Sequence, residues 1–140
     1  MAGYSGTPLP QKLGIRAGAR VALLRAPEGF AATLEPLPDG VRLGTQARSG
    51  QDVVLFFVAR RSELARRFAG LAKVLVPAGG LWIAWPKRSA GVATDLTEHV
   101  VREIGLDGGL VDNKVCAIDE VWSGLRFVYR LADRPAPERR

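Results

Sequence analysis

Apolar residues in this chain follow two rhythms. Residues 21–24 (VALL), 53–58 (VVLFFV) and 81–85 (LWIAW) are short unbroken apolar runs, the pattern of strands covered on both faces. Between the last two, RRSELARRFAGLAKVL places Leu64, Phe68, Leu71 and Leu75 at i, i+4, i+7 and i+11. That spacing predicts a helix with one apolar stripe, Ser62 as its N-cap, and Arg66, Arg67 and Lys73 toward water. In DLTEHVVREIGL, Leu96, Val100 and Ile104 share a helical face, and Asp95 and Glu98 have the spacing of a capping box. LVDNKVCAID and GLRFVYRL then read as two strands joined by EVWS.

Turn-forming residues divide the remainder. Thr7 as N-cap, Pro8 at the first helical position and Gly14 as the stop predict a short helix over residues 7–14. FAATLEPL reads as a brief helix ended by Pro36 and Pro38, residues 41–43 as a short strand, and VPAGG as the end of the first long helix. Trp82 and Trp85, three apart on one strand, point to opposite faces. Strands alternating with helices predict an α/β fold: a small Rossmann-like three-layer sandwich, its sheet mostly parallel with an antiparallel C-terminal strand pair. The expected organisation is one domain over residues 1–132, with VVLFFV central, and a flexible Pro- and Arg-rich tail at 133–140.

Composition narrows the classes. The chain has 140 residues, 47% hydrophobic and 24% charged, enough for one buried core. It has no signal-peptide pattern and no apolar run near the roughly 18 residues of a membrane span, so a cytoplasmic protein is expected. The net charge of +6 is uneven: residues 1–94 hold 13 Lys/Arg against 5 Asp/Glu, and residues 95–140 hold 7 against 9. This basic stretch invites an anionic partner, nucleic acid included, yet no nucleic-acid motif accompanies it, and a solvated basic face accounts for it more simply. A single cysteine, Cys116, excludes an internal disulfide and reads as a small core residue. His99 falls off the apolar face of its helix. No metal-ligand spacing, P-loop or nucleophile elbow is present, and the Asp119-Glu120 pair reads as plain surface.

In open α/β sheets ligands bind where strand C-termini meet loops. Arg25, Arg60, Arg61, Lys87 and Arg88 follow predicted parallel strands directly, so the expected site is a rim of these cations with Trp85 or Trp122 stacking. AGYSGTPLPQKLGI, RVALLRAPEGF, LWIAWPK, TDLTEHVVREI, GLVDNKVCAIDEVWSGL and FVYR together resemble a bacterial family of small uncharacterised proteins defined only as a domain of unknown function. That resemblance spans most of residues 2–130 and implies no activity, cofactor or catalytic residue.

From Val53 onward the element order also resembles the second half of class I S-adenosylmethionine-dependent methyltransferases. Those enzymes are similar to dinucleotide-binding folds in using a glycine-rich loop after strand one and an acidic residue after strand two. Here the first position reads LLRAPEGF and the second RLGTQAR, with one glycine and no carboxylate. The expectation is therefore a methyltransferase-like binding or interaction module without a cofactor, S-adenosylmethionine or a nucleotide being left open. The alternatives are an enzyme or sensor for an anionic, phosphate-bearing or nucleotide-like small molecule at the rim, and a nucleic-acid-binding protein. A homodimer through apolar strand edges also remains open.

Overall fold

Six strands form one sheet in the computed structural model of the chain, which describes residues 6–136. They are β1 (Arg20–Leu24), β2 (Arg42–Gly44), β3 (Gln51–Phe57), β4 (Leu75–Pro86), β5 (Val111–Ala117) and β6 (Trp122–Val128), arranged β2-β1-β3-β4-β6-β5. The first four in that order run parallel, and β6 is antiparallel to both β4 and β5. The fold is thus the expected mostly parallel α/β sandwich with an antiparallel C-terminal pair, and β3 with β4 forms its middle.

The alternation of β1, β3, β4 and β6 feeds two cores. On one face Val54, Phe56, Leu81, Ile83, Trp85, Leu125 and Phe127 meet the helices α2 (Arg61–Lys73) and α3 (Glu98–Asp107). Phe68 of α2 stands edge-on to Phe127, with ring centroids 5.3 Å apart. On the other face Val53, Leu55, Phe57, Trp82 and Ala84 meet Leu13, Ile15, Phe30 and Leu34. That layer is thin: the single turn α1 (Leu9–Lys12) and a 3-10 turn at Phe30–Leu34. Trp82 and Trp85 do lie on opposite faces, and both are buried. Trp82 donates its indole N–H to the Leu13 carbonyl at 3.0 Å, which satisfies its polar atom and ties the thin layer to β4.

Several local expectations change. Thr7 does not cap α1, whose N-cap is Pro8. The stripe of α2 ends at Leu71, because the helix stops at Lys73 and Leu75 opens β4. VPAGG is strand: Gln51 pairs with Leu75 and Val53 with Gly80, so residues 76–79 stand against Asp52 alone. This irregularity lengthens β4 without moving its apolar half off the core. Ser62 lies inside α2, whose N-cap is Arg60. Thr97 rather than Asp95 caps α3, its hydroxyl accepting from the Val100 N–H at 3.2 Å. Trp122 opens β6 and is not in the turn, which Asp119 builds by accepting from the N–H groups of Val121 and Trp122, each at 2.8 Å. Residues 137–140 of the expected tail lie outside the described residues. Among the described residues no helix is long and apolar enough to cross a membrane.

Candidate functional site

Strand order reverses between β1 and β3: the chain leaves β1 for β2 on one side and resumes on the other with β3. The C-terminal ends of β1 and β3 therefore flank the crevice where an α/β sheet of this topology receives a ligand. Arg25 is the first residue after β1 and has φ 57, the only left-handed residue other than glycine among those described. Its guanidinium donates to Glu63, in the first turn of the helix that follows β3. One side chain thus spans the two strand ends.

The next loop closes over the same edge. Thr94 donates its hydroxyl to the Ala59 carbonyl at 2.6 Å and accepts from the Leu96 N–H at 3.1 Å. Asp95 accepts from the N–H of Arg61 at 2.7 Å, so the carboxylate expected to cap α3 satisfies an open donor at the start of α2. These bonds anchor the β4–α3 loop to the β3–α2 junction.

Beyond that loop, a cleft of about 510 Å³ lies against the end of β4, lined by Trp85, Lys87, Arg88, Asp95, Glu98 and Ser123 among others. Of the expected site residues it gathers Trp85, Lys87 and Arg88. Trp85 is 5% exposed and belongs chiefly to the core. Arg60 and Arg61 are exposed at the start of α2, and Arg25 is engaged with Glu63. Trp122 lies on the opposite face, half-buried and edge-on to Phe57 at 5.0 Å. Lys87 and Arg88 share their cleft with Asp95 and Glu98, so its charge is mixed. Glu98 also pairs with Arg102 at 2.8 Å.

Titratable chemistry elsewhere is sparse. His99 is exposed and faces Glu103 at 2.6 Å, as expected of a solvated residue. Cys116 is half-buried, and burial raises its thiol above the ordinary range. Among the described residues no group of His, Cys, Asp and Glu is placed to hold a metal ion.

No family model matches the chain, which leaves the resemblance to the domain-of-unknown-function family without support there, and no curated protein matches it either. Solved structures do. A methyltransferase from Aquifex aeolicus described as S-adenosylmethionine-dependent superposes with TM-score 0.60 at 16% identity, covering 84% of this chain and 85% of that one. Magnesium protoporphyrin IX methyltransferase from Synechocystis, bound to S-adenosylhomocysteine, gives 0.56 at 13%, covering 81% and 75%. Aeropyrum pernix fibrillarin, with S-adenosyl-L-methionine bound, gives 0.53 at 20%, covering 87% and 69%. The chain therefore has the Rossmann-like fold of class I S-adenosylmethionine-dependent methyltransferases. This is a small version of that fold: β2 is three residues long with all three exposed, and a five-residue 3-10 turn is the helical segment between β1 and β2.

The residues at the corresponding strand ends depart from the dinucleotide fingerprint. The dinucleotide fingerprint starts with a glycine for the tight turn after strand one and ends in an acidic residue for the ribose. Arg25 stands at the first place, keeping the glycine's left-handed backbone but filling the edge with a guanidinium tied to Glu63. After β2 the chain reads Thr45, Gln46, Ala47, with no carboxylate to accept ribose hydroxyls.

Proposed function

We propose that this chain is a non-catalytic binding or interaction module built on the methyltransferase fold, one that does not use S-adenosylmethionine. The observation that carries this reading is Arg25, whose contact with Glu63 crosses the crevice at the switch point. A cofactor pyrophosphate or methionine tail needs close approach to a side-chain-free turn, and a long cation anchored across the strand ends denies it. The Thr94 and Asp95 contacts support the same reading, because they spend the polar groups of the edge on the protein itself. The test is a thermal shift with S-adenosylmethionine and S-adenosylhomocysteine. A ligand at about a hundred times its Kd adds roughly 2.7 kcal/mol, a shift of several degrees for a chain of this size. No shift with either is expected, and a saturable shift would overturn the reading.

A second reading has its own observation. Lys87 and Arg88 share a cleft with Trp85 beside the start of α3, where Asp95 is held by the Arg61 N–H and Glu98 by Arg102, which leaves the two cations to take an anionic small molecule, phosphate-bearing or nucleotide-like. Lys87→Ala and Arg88→Ala would then weaken such ligands while leaving Tm unchanged, since both side chains lie outside the core. Equal binding by wild type and both variants would remove it.

A further inference from the structure

At the opposite, N-terminal edge of the sheet a second cleft, of about 560 Å³, opens beside the loop before β1, the irregular start of β4, and β6. Arg16, Asp52, Gly79 and Arg126 line it. Arg126 is half-buried, opposite Trp82 across the β4–β6 ladder, and its guanidinium lies directly over Gly80. A Cβ at that glycine would collide with the guanidinium nitrogens and Cζ, so the absent side chain is what lets the cation lie in the sheet face.

Arg126 donates to the Asn113 side-chain oxygen at 3.3 Å, and among the described residues neither it nor Arg16 has a carboxylate at ion-pair distance. Asp52, on the same lining, accepts from the backbone N–H of Arg20 at 2.8 Å. Desolvation first, and then the charge of Arg16, pushes the Arg126 guanidinium below its ordinary range. Two cations that repel one another across a cleft, one of them partly out of water, are a standing cost that an anion would offset.

We infer that this cleft binds a small ligand through a phosphate or carboxylate group held between the guanidinium groups of Arg16 and Arg126. The planar fork of arginine matches both oxyanions. This site is independent of the proposed function, because it uses no residue of the C-terminal edge.

The test is calorimetric titration of the full chain with inorganic pyrophosphate and, separately, with citrate, at ionic strength held constant with sodium chloride. Saturable binding is expected. Arg16→Gln and Arg126→Gln should each weaken it by about tenfold or more, the loss that follows removal of a charged hydrogen-bond donor. Arg16 is exposed, so its variant keeps the test valid if Arg126→Gln folds poorly. Gly80→Ala, which displaces the guanidinium without changing net charge, should also weaken binding. Arg48→Gln removes a cation outside this cleft and should bind as wild type does. Pyrophosphate alone binding assigns a phosphate ligand, citrate alone a polycarboxylate, and both an oxyanion site without that preference. No saturation with either anion, or equal weakening by Arg48→Gln and Arg16→Gln, would overturn the inference.

Discussion

The two ends of the parallel sheet handle charge in opposite ways. At the C-terminal edge cations and carboxylates are interleaved: Arg25 reaches Glu63, Asp95 holds the first N–H of α2, and Lys87 and Arg88 share a cleft with Asp95 and Glu98. At the N-terminal edge Arg16 and Arg126 line one cleft with a single carboxylate, Asp52, which accepts from the Arg20 N–H, and a neighbouring groove is lined by Arg20, Arg42 and Arg48 with no carboxylate on its wall. In most α/β proteins the first edge is the functional one. Here Arg25, Glu63, Thr94 and Asp95 are engaged in bonds between loops and helix starts, while the larger excess of cations lies at the other end.

Breaking the C-terminal contacts should have the largest effect. Thr94→Val leaves the Ala59 carbonyl and the Leu96 N–H without their partner, a loss of about 1–2 kcal/mol. Asp95→Ala uncaps α2 for about 1 kcal/mol more. The double variant should lower Tm by several degrees in thermal denaturation. An unchanged Tm would mean that these bonds do not hold the edge.

The same operation at the N-terminal edge should have the opposite sign. Arg126→Met keeps an apolar stem over Gly80, removes a half-buried charge, and gives up one long bond to an exposed asparagine. Replacing an uncompensated cation with an apolar side chain is neutral or stabilising, so Tm should hold or rise by the equivalent of up to about 1 kcal/mol. A clear fall would show that the guanidinium is well balanced in the free protein.

Why the sequence exposes one edge and conceals the other follows from what each depends on. The strands at residues 53–58 and 81–85 are legible because an unbroken apolar run records local burial on both faces. The Rossmann-like order follows from their alternation with helices, and the departure from the glycine fingerprint at Arg25 is visible because a missing glycine is a one-residue fact. Trp85, Lys87 and Arg88 line one cleft, as their place at a strand's C-terminal end leads one to expect. The rim itself does not form as one group, since Trp122 enters β6 on the other face and Arg25 turns to Glu63. Asp95 misleads because its spacing to Glu98 suits a capping box, while its actual partner lies 34 residues away. Arg126 reads as an ordinary polar position in RFVYR. Its burial depends on Gly80 in the neighbouring strand, and the pair Gly79-Gly80 in an apolar run is the signal of close approach that could have located it.

A smaller effect separates backbone from charge at Arg25. Its left-handed φ costs about 1–2 kcal/mol, and the exposed pair with Glu63 returns at most about 1 kcal/mol. Arg25→Gly relieves the first and loses the second, while the freer unfolded chain takes back about 0.4–1 kcal/mol. The net change should stay within about 1 kcal/mol. Arg25→Ala keeps the strain and loses the pair, so its Tm should lie below that of Arg25→Gly. The reverse order would mean that the left-handed strain at this position is smaller than the unfolded-state entropy that glycine adds.

The smallest effect is the response to salt, and it tests the comparison most directly. Raising sodium chloride from about 0.1 M to about 1 M shortens the Debye length from about 10 to about 3 Å. Repulsion at the N-terminal edge is then screened, which stabilises the fold, and attraction between Arg25 and Glu63 is screened, which destabilises it. Comparing slopes of Tm against salt cancels the general effect of salt on apolar burial. Arg16→Gln removes a source of repulsion, so its Tm should rise less with salt than that of the wild type. Glu63→Gln removes the attraction, so its Tm should rise more. Identical slopes in all three proteins would mean that neither edge carries uncompensated field, and the basic residues would then be a solvated surface at both ends.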